Sequence, residues 1–180
     1  MKILLASASP RRKKLLGELG YEITVAAPSF DEGQICAEDP EQLVAALAQG
    51  KGRSVCAPQD VLLVAADTVV AFDGAILGKP VDAADAKKML SMLSGNTHQV
   101  YTGVYLRHGE KERVFTDCSS VTFRALSEQE IDAYVQSGSP MDKAGSYGIQ
   151  ETDFVSEIKG SFNNIVGFPT ELFQKIIKEF

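Results

Sequence analysis

Hydrophobic positions along the chain switch between two periods. Ile3-Leu4-Leu5-Ala6 is a short continuous apolar run, predicting a strand over 2–6. Leu15, Leu16 and Leu19 then recur at helical spacing and predict a helix over 10–19. Ser9 is placed to cap that helix, Pro10 suits its first position, and Gly20 ends it. A strand over 22–27 follows, then a helix over 40–55 opened by Asp39-Pro40, then a strand over 61–66. The last of these, Val61 to Ala66, is apolar at every position, as expected of a strand buried on both faces.

The middle of the chain changes character. Val69-Val70 and Ile76-Leu77 flank Asp73-Gly74, the signature of a tight hairpin. Asp82 to Leu93 has a helical pattern with Asp82 as cap and Gly95 beyond its end, and two long strands flank the polar turn near His108 to Glu110. Ser127-x-x-Glu130 is a capping box opening a helix through Tyr134 and Val135. Short strands and a terminal helix after Pro169 complete the series. Crossover helices combined with hairpins predict an α/β protein with a mixed sheet.

A length of 180 residues supports one sizeable core or two closely joined lobes, hence a single domain over 1–180. No apolar run approaches the roughly 20 residues that span a bilayer, and one lysine and four apolar residues before Ser7 are too few for a signal peptide. Cys36, Cys56 and Cys118 form no CxxC pair, which favours reduced thiols over a disulfide or zinc framework. A cytoplasmic protein without membrane attachment is therefore expected. A net charge of −6 argues against general nucleic-acid binding, yet leaves room for a polyanionic small ligand held by local cations.

Candidate chemistry starts at Ser7-Ala8-Ser9-Pro10-Arg11-Arg12, where a strand meets a helix N-terminus. Free N–H groups and two arginines suit a phosphate chain, although the same turn could be merely solvated. Lys51 falls on the apolar line Leu43, Leu47, Lys51, Val55, so it either snorkels along the core edge or points its ammonium into a cleft. Asp67 ends the apolar run of 61–66, placing a carboxylate at a strand tip, as a ligand-facing group or a turn cap. Asp31-Glu32 could offer oxygen ligands to Mg²⁺ or sit in solvent, and Lys79, between Gly78 and Pro80, is a fixed point charge or an ordinary surface lysine. The spacing of Gly74 to Pro80 excludes a P-loop, Gly145-Ser146-Tyr147-Gly148 is not a nucleophile elbow, and His98 and His108 lack metal-ligand spacing.

The ordered combination is more specific than any of its parts. Ser7-Ala8-Ser9-Pro10-Arg11-Arg12, Asp31-Glu32, Lys51, Ala66-Asp67-Thr68-Val69-Val70, Gly78-Lys79-Pro80 and Ser94-Gly95-x-x-His98-x-Val100-Tyr101-Thr102-Gly103 occur in that order. Asp142-Lys143-Ala144-Gly145-Ser146-Tyr147-Gly148-Ile149-Gln150 and Gly160-Ser161-Phe162-x-Asn164-Ile165-Val166-Gly167-Phe168-Pro169 follow. Over nearly its whole length the chain resembles the Maf family of nucleoside triphosphate pyrophosphatases.

That resemblance implies a Maf/ITPase-like mixed sheet with flanking helices, folded as two lobes around a central cleft. It implies hydrolysis of a nucleoside triphosphate to the monophosphate and pyrophosphate with a divalent metal (Mg²⁺, Mn²⁺ or Co²⁺), and a homodimer. By motif match Asp67 is the catalytic acid/base residue, with Lys51 and Glu32 beside it and Glu32 and Asp67 as metal ligands. Ser7, Arg12 and Lys79 fall on further cleft positions, and Arg11, Thr68 and Gln150 on positions of base selection. Pro-Arg-Arg, Asp-Thr and the segment ending in Gln150 are similar to the subgroup acting on dTTP and UTP, in a house-cleaning role. The alternatives are 7-methyl-GTP or another modified base, or a nucleotide-binding regulator of septum formation. Gly52 and Glu151 depart from the family pattern, and glycines at 50 and 52 would each weaken their helix by about 1 kcal/mol relative to alanine.

Overall fold

The computed structural model describes residues 2–180. The described residues build one mixed sheet of seven strands with helices on both faces, as the alternating pattern predicts. The chain runs β1 (Lys2–Ala6), α1 (Pro10–Glu18), β2 (Glu22–Ala26), α2 (Pro40–Arg53), β3 (Leu62–Phe72) and β4 (Ala75–Leu77). It continues through α3 (Ala83–Leu93), β5 (Thr97–His108), β6 (Lys111–Phe123), α4 (Glu128–Gln136), β7 (Val155–Lys159), α5 (Phe162–Val166) and α6 (Thr170–Ile176). Strand order is β2-β1-β3-β5-β6-β7, with β4 paired to the far half of β3. β1 lies parallel to both β2 and β3, whereas β3, β5, β6 and β7 are successively antiparallel.

Local chemistry accounts for most boundaries. Ser9 accepts a bond from the Arg12 amide, Asp39 from the Glu41 amide, and Asp82 from the Asp85 amide. Ser127 and Glu130 form the reciprocal capping box. Phe72 pairs with Ala75 across Asp73 and Gly74, both in the left-handed region, as a two-residue hairpin turn requires.

One expectation is corrected. The strand expected over 61–66 continues to Phe72, so Asp67 sits mid-strand opposite Gly103 of β5 and not at a tip. The polar pair Asp67-Thr68 interrupts the apolar run without ending the ladder, because each side chain finds a polar partner on its own face of the sheet. Long β3 and β5 thus run through two lobes. In the larger, Ile3, Leu5, Leu62, Val64, Val104 and Leu106 pack beneath α1 and α6, while Leu63, Ala65 and Tyr105 pack beneath α2 on the opposite face. In the smaller, Val70, Val100, Val121 and Phe123 pack against α3 and α4.

Candidate active site

A cleft of about 850 Å³ lies between the lobes. All nine residues singled out from the sequence line it: Ser7, Arg11, Arg12, Glu32, Lys51, Asp67, Thr68, Lys79 and Gln150. Strand alternation explains how two neighbouring residues serve different walls. On β3, residues 62, 64 and 66 face α1 and residues 63 and 65 face α2. The same alternation turns Asp67 toward α2 and Thr68 toward α1.

Asp67 meets Lys51 there. The Lys51 ammonium is ion-paired with Asp67 Oδ1 and lies 2.9 Å from Glu32 Oε1. Lys51 and Asp67 each leave only 11% of the side chain exposed. Lys51 therefore takes the cleft alternative, not the snorkelling one. The Gly50-Lys51-Gly52 sequence, unfavourable for a free helix, is explained by what crosses it. A Cβ on Gly52 would overlap the Tyr105 ring, and one on Gly50 would overlap the Phe30 ring. Gly103 likewise admits the backbone of α2 at Val44, with no room for a side chain. These approaches bring Lys51 down onto β3. The Phe30 ring, seated on Gly50, anchors the segment that leads to Glu32.

Thr68 meets Arg12 on the other face. Arg12 Nη2 donates to Thr68 Oγ1 at 3.0 Å, Nε donates to the Gly167 carbonyl at 2.9 Å, and Nη1 reaches Ser7 Oγ at 3.4 Å. Thr68 and Thr102 hydroxyls lie 2.9 Å apart, and Thr102 donates to the Asn164 carbonyl at 3.2 Å. With its single proton so committed, Thr102 accepts from Thr68, which turns a Thr68 lone pair toward Arg12. Burial lowers the Arg12 pKa from its ordinary value, and Asp67 opposes that shift. The guanidinium is held from three sides and keeps N–H groups for a ligand.

The other predicted residues stand further out. Arg11 grips Asp142 with both terminal nitrogens, at 2.9 Å to Oδ2 and 3.2 Å to the main-chain oxygen. Lys79 is exposed, and its neighbour Gly78 accepts a backbone bond from Gly145 that ties the hairpin to the 144–146 turn. Tyr147 also lines the cleft. It is buried, its hydroxyl lies 2.7 Å from His98 Nε2, and burial raises its pKa. His98 belongs to the core of the smaller lobe, where burial lowers its pKa to about 4.

Thr102, Asn164, Asp142 and Lys143 carry interactions at the site that residue-level reasoning did not assign. Their signal in the sequence is the motif context alone. Nothing in the spacing of Thr102 or Asn164 separates a relay from ordinary core polarity.

Metal fit follows from donor chemistry. Among the described residues no cluster of three or more His, Cys, Asp or Glu could hold an ion by itself. Asp67 and Glu32 do offer hard carboxylate oxygens around one ammonium, leaving the trio one negative charge in excess. Two carboxylates completed by substrate phosphates is a set that Mg²⁺ commonly takes. The residues fit a divalent cation that arrives with a polyphosphate.

Comparison with known proteins places the chain in a family. Residues 2–180 match the family of Maf-like proteins. The chain belongs to the Maf family. Curated relatives include the dTTP/UTP pyrophosphatase of Agathobacter rectalis, 45% identical with 98% of this chain and 97% of that protein covered. Those of Symbiobacterium thermophilum (42%; 99% and 94%) and Vibrio cholerae (43%; 99% and 98%) carry the same name. Among solved structures, the chain is similar to Ham1 proteins of Staphylococcus aureus (TM-score 0.50, 12% identity, 99% of each chain) and Coxiella burnetii (TM-score 0.52, 14% identity, 100% of each). At that identity the likeness concerns the fold, which is the Maf/ITPase-like mixed sheet that the motifs imply. Among the described residues no helix is long and apolar enough to cross a membrane.

Proposed function

We propose that this Maf-family chain is a nucleoside triphosphate pyrophosphatase acting on dTTP and UTP, cleaving each to the monophosphate and pyrophosphate. The observation that carries this reading is the convergence of Lys51, Asp67 and Glu32 on one wall and Ser7 and Arg12 on the other, in a single cleft. Relatives covering almost the whole chain and named for that activity support it.

Splitting the α–β anhydride piles negative charge on the departing pyrophosphate, which preorganised cations offset in the transition state. Arg12 is the best-oriented of these, since Thr68, Gly167 and Ser7 fix its plane. Lys51 and Lys79 add positive charge from α2 and from the hairpin. At the start of α1, Pro10 has no N–H and the Arg12 and Lys13 amides are bonded to Ser9, which leaves the Arg11 amide as the neutral donor there. Asp67 orients and deprotonates the attacking water, and its pairing with Lys51 fixes the carboxylate before substrate arrives. Glu32 and Asp67 would hold the divalent cation, which would supply Lewis-acid neutralisation of phosphate charge. Of the three residues expected to select the base, Arg11 and Gln150 line the outer end, where the donor and acceptor edge of a pyrimidine is chosen, whereas the Thr68 hydroxyl is engaged with Arg12 and Thr102.

The test is product analysis with purified protein, Mg²⁺ or Mn²⁺ and a panel of triphosphates. The expected result is dTMP or UMP with inorganic pyrophosphate, and lower efficiency on purine triphosphates. Diphosphate and orthophosphate as products, or nucleotide binding without turnover, would overturn the assignment.

A further inference from the structure

Lys143 lines the cleft and carries a positive charge, which invites a phosphate contact. Its surroundings argue against one. Nζ lies 2.6 Å from the Ser139 carbonyl oxygen, 2.7 Å from Asp142 Oδ1, 3.0 Å from Glu151 Oε1 and 3.2 Å from Ser139 Oγ. An ammonium has three protons, and these acceptors, all supplied by the protein, claim them. Only 12% of the side chain is exposed.

The acceptors lead in two directions. Asp142 spends its other carboxylate oxygen and its main-chain oxygen on Arg11, at the start of α1. Glu151 follows Gln150 directly, and it accepts from the Tyr134 hydroxyl at 3.0 Å and Ser139 Oγ at 2.7 Å. Tyr134 in turn accepts from the Gly148 amide at 3.0 Å, so α4 grips the turn from behind. A continuous chain of charge, Arg11–Asp142–Lys143–Glu151, thus crosses the cleft mouth from one lobe to the other. Partial burial works against the charged forms of Asp142 and Glu151, yet their hydrogen-bond partners, Lys143 among them, hold both carboxyls below the ordinary range. Lone exposed ion pairs contribute little, but a shielded ammonium with four acceptors is a network.

We propose that Lys143 is a positioning residue for base selection, gathering segment 139–151 around its ammonium so that Arg11 and Gln150 face the same end of the cleft. This rests on the nucleotide reading of the site.

Calorimetric titration of the full chain in Mg²⁺ tests it with three probes: α,β-imido-dUTP, α,β-imido-GTP and inorganic pyrophosphate. Lys143→Met keeps the stem and removes the charge. Its preference for the dUTP analogue over the GTP analogue is expected to fall about tenfold, the scale of a lost charged hydrogen bond. Pyrophosphate, which probes the phosphate end alone, is expected to bind within about twofold of wild type. Glu151→Gln keeps the shape of the anchor and is expected to shift preference the same way by about threefold, which decides the matter if Lys143→Met does not fold. Pyrophosphate binding weakened in step with the nucleotides would make Lys143 a phosphate ligand and overturn the proposal. Unchanged preference in both variants overturns it alone. A wild-type chain with no preference between the two analogues overturns base selection at this cleft, and the proposal with it.

Discussion

At the deep end of the cleft, Lys51 and Asp67 each expose 11% of the side chain; at the rim, Arg11 and Asp142 expose 28% and 60%. The deep pair stands on α2 and β3, and regular backbone fixes both positions. Thr102 and Asn164 support the neighbouring Arg12 from inside the core. The rim joins the start of α1 to the irregular segment 139–151, whose carboxylates reach solvent even though the Lys143 ammonium they share is shielded. Groups held on helices and strands keep their geometry more closely than groups on loops. On the proposed function, the reaction falls to the buried end and the choice of base to the rim. That division predicts that the buried end tolerates little alteration, whereas the rim can be retuned without disturbing it.

Breaking the deep end should have the largest effect. Asp67→Asn removes charge and little volume, and leaves Lys51 its second partner, Glu32. Turnover is expected to fall by about a thousandfold or more, as for loss of a general base, with the thermal transition kept. Near-normal rates with dTTP would return the chemistry to some other group. Lys51→Met is expected to lower stability by about 3 kcal/mol as well as abolish turnover, since it leaves Asp67 without its buried countercharge. Urea unfolding measures the first effect, and an unchanged midpoint would show that solvent, not Lys51, balances Asp67.

Smaller perturbations sharpen the contrast. In Gly52→Ala the added methyl meets the fully buried Tyr105 ring. Overpacking of about 1–3 kcal/mol then exceeds the gain of about 1 kcal/mol in helix propensity. A net loss in stability, with turnover lowered through the adjacent Lys51, is the expected outcome. A stabilised and fully active variant would mean that α2 can ride higher on the sheet.

His98 touches neither end directly, and its effect is confined to acid pH. Its folded pKa of about 4 lies below the ordinary 6.5, so the unfolded chain binds the extra proton first. Its contribution is complete above about pH 6.5 and is lost as pH falls toward 4, at about 1.4 kcal/mol per pH unit. His98→Gln should flatten that part of the stability profile by one proton. An identical slope in the variant would place the titration elsewhere.

The deep end was more legible in the sequence than the rim. Lys51 announced itself by interrupting an apolar helical stripe, and the cap residues of α1, α2, α3 and α4 marked their own starts. Asp67 was visible but misplaced, because a polar pair in an apolar run looks like the end of a strand. Only the partners on each face, Lys51 for one and Arg12 with Thr102 for the other, show that β3 continues. The glycines at 50 and 52 were legible as weak helix formers, but neither they nor Gly103 were legible as points of close approach, since Phe30, Tyr105 and Val44 meet them only through the fold. The rim could be reached only through motif resemblance. Arg11 and Asp142 stand 131 positions apart, and no periodicity links them.

The claim that one cleft separates reaction from choice is tested most directly by Gln150→Ala, comparing its kcat/KM for UTP with that for GTP. The expected result is an approximately tenfold fall in the UTP:GTP ratio, the scale of one lost base-edge hydrogen bond, with kcat for UTP close to wild type. An unchanged ratio, or a kcat that collapses for both substrates alike, would contradict the division.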